Sequence, residues 1–107
     1  MKNLQAMLQQ VQKMQAEIQK VQAELVNKTV SEESGGGMVK ATVNGAKELI
    51  SIEIDPQVIN KDEKDILEDL VVAAVNKAIK SAAKMAEDEL SKVTKGMLPS
   101  GFNFPGL

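Results

Sequence analysis

Lysine is the residue type through which this chain could do chemistry, because its thirteen basic residues are all lysines and it has neither histidine nor cysteine. Without those two types, it lacks the side chains that most often serve as general bases and nucleophiles. Its carboxylates and serines fall where helix capping and surface exposure explain them, and no calcium-loop spacing is present. We therefore expect no enzyme activity, no metal site, no cofactor and no small-molecule substrate.

One group of lysines follows a line along a predicted N-terminal helix. Lys2, Lys13 and Lys20 are separated by eleven and seven residues, which turn a helix by about 20° more and about 20° less than whole turns. Such a line fits either a solvated helix face or a stripe that contacts phosphates. The residues alone leave both interpretations open.

A second group of five lysines lies along a predicted C-terminal helix. Three share a polar face at spacings of three and four, and two come at the helix end, where they could instead offset the helix dipole. In chain order they are Lys77, Lys80, Lys84, Lys92 and Lys95. No acid falls between Leu70 and Ala86, although the net charge of −2 argues against nucleic-acid binding by the whole surface.

The first helix is predicted over residues 3–26 from a heptad repeat of apolar side chains. The apolar positions alternate spacings of three and four without a miss, which is typical of a helix that packs along one seam. Most other positions are glutamine and alanine, which are good or acceptable helix formers. The apolar seam, as we call it, consists of Leu4, Met7, Val11, Met14, Ile18, Val21 and Leu25.

Three short strands are predicted between the helices, over residues 28–33, 38–44 and 49–54. The middle strand alternates, with Val39, Ala41 and Val43 on one face. The glycines at 35–37 are interpreted as a hairpin loop, because a phosphate-binding P-loop needs a different glycine–lysine spacing between a strand and a helix. Asn44-Gly45 is typical of a hairpin turn. We expect a small antiparallel sheet with one apolar face.

The second helix is predicted from about residue 62 to 93, with a broad, alanine-rich apolar face. Asn60 and Glu63 resemble a capping box before it, and Gly96 is expected to stop it. These segments predict a single α+β domain over residues 1–96 and an irregular C-terminal tail over 97–107. In that tail Phe102 and Phe104 either anchor on an apolar patch or leave the segment mobile, and the sequence does not choose.

A homodimer is predicted from the mismatch in length between the helices and the strands. Helices of about 24 and 32 residues span about 36 and 48 Å, whereas strands of about six residues span about 20 Å. Both helices must therefore overhang the sheet and expose apolar side chains. The edge strands of the sheet also need cover or a partner.

The order of these segments resembles the YbaB/EbfC family of bacterial nucleoid-associated proteins. The resemblance runs nearly end to end and rests on segments that are individually weak and together specific. They are the glutamine-rich opening 8–15, the glycine segment 34–40, Asn44-Gly45, Ile54-Asp55-Pro56, the stretch 67–78 and the ending with Phe104-Pro105. The resemblance implies an α-β-β-β-α subunit in an intertwined dimer, whose long helices project from a β core like the arms of tweezers.

The resemblance also implies DNA binding, a role in nucleoid organisation or gene regulation, and no catalysis. Helix-borne basic residues meet DNA in this family, which by position points to the eight lysines named above. Because no arginine is available for bidentate reading of guanine, we expect weak sequence preference and contact mainly with the phosphate backbone.

Two further expectations concern location and an alternative partner. The chain shows neither the apolar run of a signal peptide nor a segment as long as a membrane span, so we expect a cytoplasmic, nucleoid location and no membrane partner. The alternative to DNA binding is a dimeric helical scaffold that docks another protein and does not bind DNA directly.

Overall fold

The polypeptide folds in the order helix, three strands, helix. The computed structural model describes residues 2–97. Helix α1 covers Lys2–Leu25, strands β1, β2 and β3 cover Thr29–Ser34, Val39–Asn44 and Leu49–Ile54, and helix α2 covers Lys64–Met97. This order confirms the predicted α-β-β-β-α subunit. The two interpretations of Phe102 and Phe104 concern residues outside the described range.

The sheet is an antiparallel meander in the order β1-β2-β3. Ser34 pairs with Val39 across the first hairpin, and Val39 also pairs with Ile54 on the other side of β2. The glycines at 35–37 all have positive φ, of 61°, 68° and 95°, a region that favours glycine. The hairpin-loop interpretation of these glycines is therefore confirmed.

The core lies where α2 crosses β1 and β2. Val39, Ala41 and Val43 of β2 are fully buried against three alanines of α2, at positions 74, 78 and 82. Alanine at every fourth position lets the helix backbone approach the sheet closely. Half-buried side chains complete the cluster: Val30, Ile54, Leu67, Leu70, Val71, Val75 and Ile79.

Hydrogen bonds fix the direction of α2 along β1. The Ser34 hydroxyl donates to the carbonyl oxygen of Leu70 at 2.6 Å, and the Ser81 hydroxyl donates to the Glu32 carboxylate at 2.6 Å. Later residues of α2 thus meet earlier residues of β1. The helix therefore runs antiparallel to β1 and leaves the sheet at the end where α1 arrives.

Asn44 organises the connection between β2 and β3. Its buried side-chain amide donates to the Val26 carbonyl at 3.0 Å and to the Glu48 carboxylate at 2.8 Å, and its amide oxygen accepts from the N–H groups of Ala46 and Glu48. The predicted hairpin is present, but residues 45–48 make a longer connection than a two-residue turn. Gly45 serves close packing, since a Cβ there would lie 2.7 Å from the Leu25 carbonyl oxygen.

The second helix starts slightly later than predicted. The Asn60 side chain acts as a cap and accepts from the N–H of Asp62 at 2.9 Å. It caps a 3-10 turn over Lys61–Glu63, and α2 begins only at Lys64. The capping signal therefore predicted the position of the cap correctly, but the turn that follows the cap is a 3-10 turn and not the first turn of the α-helix.

The expectation that Gly96 stops the second helix is wrong, because α2 continues through it to Met97. A helical glycine costs about 1 kcal/mol relative to alanine, and packing just before it can offset that cost. Thr94 is buried there, and its hydroxyl donates to the Ser91 carbonyl oxygen at 3.0 Å. The assignment of residues 1–96 to one domain stays a prediction.

Both helices extend beyond the sheet. The described chain is 73 Å long, whereas a strand of six residues spans about 20 Å. Helix α1 packs along the part of α2 that has left the sheet. Burial along the apolar seam decreases with distance from the sheet: Leu25 is buried, Met14 is half-buried and Leu4 is exposed.

Candidate nucleic-acid interface

The lysine line of α1 faces away from the apolar seam. At 3.6 residues per turn, Lys13 and Lys20 lie about 130° around the helix axis from the middle of the seam. Both are exposed, and neither forms an ion pair within residues 2–97. Lys2 opens the helix, but its side chain lies outside the description. Helix α1 thus presents two unpaired ammonium groups on its outer face.

Helix α2 carries a second line of lysines. Lys77, Lys84 and Lys95 are separated by seven and eleven residues, so they follow one face nearly in single file over about 27 Å. Lys80 lies beside this α2 line, one turn from both Lys77 and Lys84. Lys80, Lys84 and Lys95 are exposed and unpaired with any acid among the described residues.

Two of the eight predicted lysines already contact other groups of the protein through their ammonium groups. The Lys77 ammonium donates to the carbonyl oxygen of Glu33 at 3.1 Å, which holds it beside β1. Lys92 lies 3.4 Å from the Glu89 carboxylate. These contacts are exposed and can exchange, but Lys80, Lys84 and Lys95 are the freer cations of α2.

An acidic residue that the sequence interpretation missed interrupts the α2 line. Asp88 follows Lys84 by four residues and precedes Lys95 by seven, which places it on the same face of the helix. It is exposed. The signal was available, because helical-wheel arithmetic extended beyond Lys84 would have found it. Asp88 divides the line into a pair near the sheet and a single lysine near the helix end.

An ion pair between distant parts of the chain was also missed. The Lys28 ammonium lies 3.3 Å from the Glu89 carboxylate. Its hydrogen bond and positive charge, with the charge of Lys92, hold the pKa of Glu89 below the usual 4.5. No local pattern could have predicted this contact, since it depends on where α2 leaves the sheet.

A groove of about 470 Å³ opens beside the end of α2. Two acids and two lysines line it together, so their charges offset one another and the groove has no preference for anions. Its lining residues are Met85, Asp88, Glu89, Ser91, Lys92 and Lys95. Among the described residues no cluster of three acidic ligands could hold a metal ion. Neither helix, as far as it is described, is long and apolar enough to span a bilayer.

The apolar face of the sheet continues past α2 onto β3. Ile52 pairs with fully buried Ala41, so both side chains lie on the face that α2 covers elsewhere. Because α2 crosses mainly β1 and β2, Ile50 and Ile52 remain 55% and 36% exposed. We call these two residues the β3 face. An edge strand with exposed isoleucines is typical of a surface that another protein chain covers.

The sequence of this chain is similar to those of known proteins. The model of the YbaB/EbfC DNA-binding family matches residues 1–97. A nucleoid-associated protein of Caldanaerobacter subterraneus subsp. tengcongensis is 53% identical over 105 residues, which cover 98% of this chain and 90% of that relative. A nucleoid-associated protein of Thermodesulfovibrio yellowstonii is 50% identical over 101 residues, which cover 94% of this chain and 84% of that relative.

A solved structure also matches the fold. The crystal structure of an uncharacterized protein from Helicobacter pylori superposes with a TM-score of 0.61. The match covers 82% of this chain and 98% of the other at 24% sequence identity. At that identity the similarity concerns the fold alone.

Proposed function

This chain belongs to the YbaB/EbfC DNA-binding family, and we propose that it is a homodimeric nucleoid-associated protein that binds DNA through helix-borne lysines. The observation that carries the proposal is the α2 line, in which Lys77, Lys84 and Lys95 follow one face of the helix. Its length of about 27 Å matches about eight base pairs at 3.4 Å each. The proposed role is nucleoid organisation or gene regulation.

Phosphates are the proposed target of these lysines. A lysine ammonium is a compact point charge that contacts phosphate and releases counterions. The chain has no arginine to read guanine bidentately, so sequence preference is weak. The proposed contacts are Lys2, Lys13, Lys20, Lys77, Lys80, Lys84, Lys92 and Lys95.

The separation of charges along the chain supports DNA binding despite the net charge of −2. Seven acids lie between Glu53 and Asp69, in β3 and the turns before α2 and in its first turns. The following segment of α2, from Leu70 to Ala86, has three lysines and no acid. A duplex that meets this segment and the outer face of α1 avoids the acidic end.

The β3 face supports the homodimer. Ile52 extends the buried face of the sheet to an edge that α2 does not cover, and Ile50, at an irregularity in the pairing of β2 with β3, is also exposed. A second copy offers the same apolar surface. A two-fold arrangement would bury both faces against each other. In such a dimer two pairs of helices project from a shared sheet region, which doubles the lysines available to one duplex.

A gel shift with charge-reversed lysines tests the DNA-binding proposal. Changing Lys13, Lys20, Lys80 and Lys84 to Glu should abolish the shift of mixed-sequence duplex DNA, because these four exposed lysines would then repel phosphates. A smaller matched comparison uses Lys80→Glu with Lys84→Glu against Lys47→Glu with Lys61→Glu. All four lysines in that comparison are exposed, and the second pair lies outside both helices.

The control pair should retain most of the wild-type affinity, and circular dichroism should show the same helix content in every variant. Equal losses in both pairs would mean that only net charge matters and would contradict the proposed lines. If the fourfold variant still shifts DNA, the proposal fails. If wild type shifts no DNA but captures a protein partner equally with and without the fourfold change, the scaffold alternative replaces it.

Light scattering at micromolar concentration tests the dimer. Wild type should have the mass of two chains, and Ile52→Lys should have the mass of one, because an ammonium on the β3 face would be buried unpaired. Ser51→Lys is the matched control, since Ser51 pairs with Thr42 on the opposite face of the sheet. A monomeric wild type would contradict the dimer.

A further inference from the structure

The far end of the apolar seam and the adjacent Leu8 are left uncovered. Leu4, Met7 and Leu8 are 62%, 62% and 55% exposed, and Val11 is 46% exposed. Closer to the sheet, where α1 packs on α2, Met14, Ile18 and Val21 are half-buried. We call the four exposed residues the distal patch. Four large apolar side chains within about two helical turns are more than the scattered apolar exposure of ordinary helix surfaces.

Helix α2 ends close to this patch. The Lys28–Glu89 ion pair holds the residue just before β1 against α2, and α1 packs on α2. From there both helices lead away from the sheet, α1 backward along the chain and α2 forward. With a rise of about 1.5 Å per residue, Met97 is level with roughly Ile18 of α1. From that level Val11 is about 10 Å and Leu4 about 21 Å farther along the same direction.

The ten residues that follow Met97 have the composition of a segment that packs. Residues 98–107 read LPSGFNFPGL, without one charged side chain, and they include both aromatic residues of the chain. Segments that stay solvated are typically rich in charge, proline, serine and glycine and poor in aromatics. This segment shares the proline, serine and glycine but differs in its aromatic residues and its lack of charge. Fully extended, ten residues reach at most about 33 to 36 Å, which is more than the distance to Leu4.

We propose that residues 98–107 lie along the distal patch of α1 in the same chain, with Phe102 and Phe104 packed against Met7, Leu8 and Leu4. Connectivity favours this occupant, because the segment follows Met97 directly and is long enough to reach the patch, so its effective concentration there is high. A second copy of α1 on the patch would leave the two phenylalanines without an apolar partner. The patch faces about 170° away from the α1 lysines, so the contact goes beyond the proposed DNA binding and does not rest on it.

A single introduced tryptophan tests the contact, because the chain has no tryptophan or tyrosine of its own. In full-length Phe104→Trp protein, the emission should be blue-shifted and protected from acrylamide relative to the same protein in urea. Adding Met7→Ser and Leu8→Ser should shift the emission to the red and raise the quenching constant to the unfolded value. Ile59→Ser with Val72→Ser is the matched control, since both residues are exposed and apolar but outside α1.

The contact is overturned if the quenching constant of the Phe104→Trp protein without further changes equals its value in urea. It is also overturned if the control pair exposes the introduced tryptophan as much as the patch pair does. A mixed-dimer measurement separates the occupants. Phe104→Trp chains are refolded with excess chains that carry Met7→Ser and Leu8→Ser. Retained protection supports packing on the same chain, whereas lost protection assigns the segment to the partner's patch and contradicts the proposal.

Discussion

The ammonium group of Lys28 lies 3.3 Å from the carboxylate of Glu89, and this ion pair joins the connection between α1 and β1 to α2 at the point where α2 leaves the sheet. Lys92 approaches the same carboxylate at 3.4 Å from one turn farther along. Both projecting helices carry lysine lines. The Lys28–Glu89 ion pair therefore helps to fix the orientation of the α1 lysines relative to the α2 lysines, although neither Lys28 nor Glu89 belongs to those two groups.

Replacing Glu89 with Gln should lower stability in a pH-dependent way. The pKa of Glu89 is lowered in the folded protein, so its stabilising effect is fully present above the usual value of 4.5 and is lost as the pH falls through the lower, folded value. Urea midpoints of wild type and Glu89→Gln should therefore differ at neutral pH and converge in acid. Glu87→Gln, an exposed neighbour without an ion pair in the described chain, is the control. A difference that does not change with pH would refute the role of this pair.

Removing the acid from the α2 line should tighten DNA binding. Asp88→Asn eliminates a repulsion between an exposed carboxylate and phosphate, worth about 0.5–1 kcal/mol by analogy with exposed charge pairs, or roughly a two- to fivefold lower Kd. Asp62→Asn makes the same charge change in the turn before α2. Fluorescence anisotropy with labelled duplex measures both variants. Equal gains from both would show that position on the line has no importance.

Removing the Asn44 side chain should destabilise the fold more than removing an exposed hydrogen bond. Asn44→Ala loses four hydrogen bonds and leaves a cavity at a residue that is 1% exposed, so we expect a loss of about 2–3 kcal/mol. Ser31→Ala loses one exposed bond to the Thr42 hydroxyl and should change stability by less than about 0.5 kcal/mol. Urea melts at one protein concentration compare them, and similar midpoints would contradict the role of Asn44.

The order and type of the elements could be predicted because local signals agree with the fold. The heptad repeat from Leu4 to Leu25, the positive-φ glycines at 35–37 and the alternation of Val39, Ala41 and Val43 each reflect an interaction within a few residues or one sheet face. Helix ends were less predictable. Gly96 is a local stop signal, and the burial of neighbouring Thr94, which depends on tertiary packing, outweighs it.

For the candidate site, the sequence could predict only which lysines share a face of one helix. Lys77, Lys80 and Lys84 were placed on one face by spacing alone, and the structure keeps them there. The contacts of Lys77 with Glu33 and of Lys28 with Glu89 join residues far apart in sequence, so no spacing rule could indicate them. The exposure of Ile52 likewise depends on which strands α2 crosses.

The salt dependence of DNA binding tests the central claim, contact between helix-borne lysines and phosphates, most directly. For about four phosphate contacts, log K should fall with log salt with a slope near −3.6. Lys80→Gln with Lys84→Gln, present in both chains of the dimer, should make that slope shallower by at least about 1.8. Lys47→Gln with Lys61→Gln should leave it unchanged. A flat response in wild type, or an equal change in both pairs, would contradict the account.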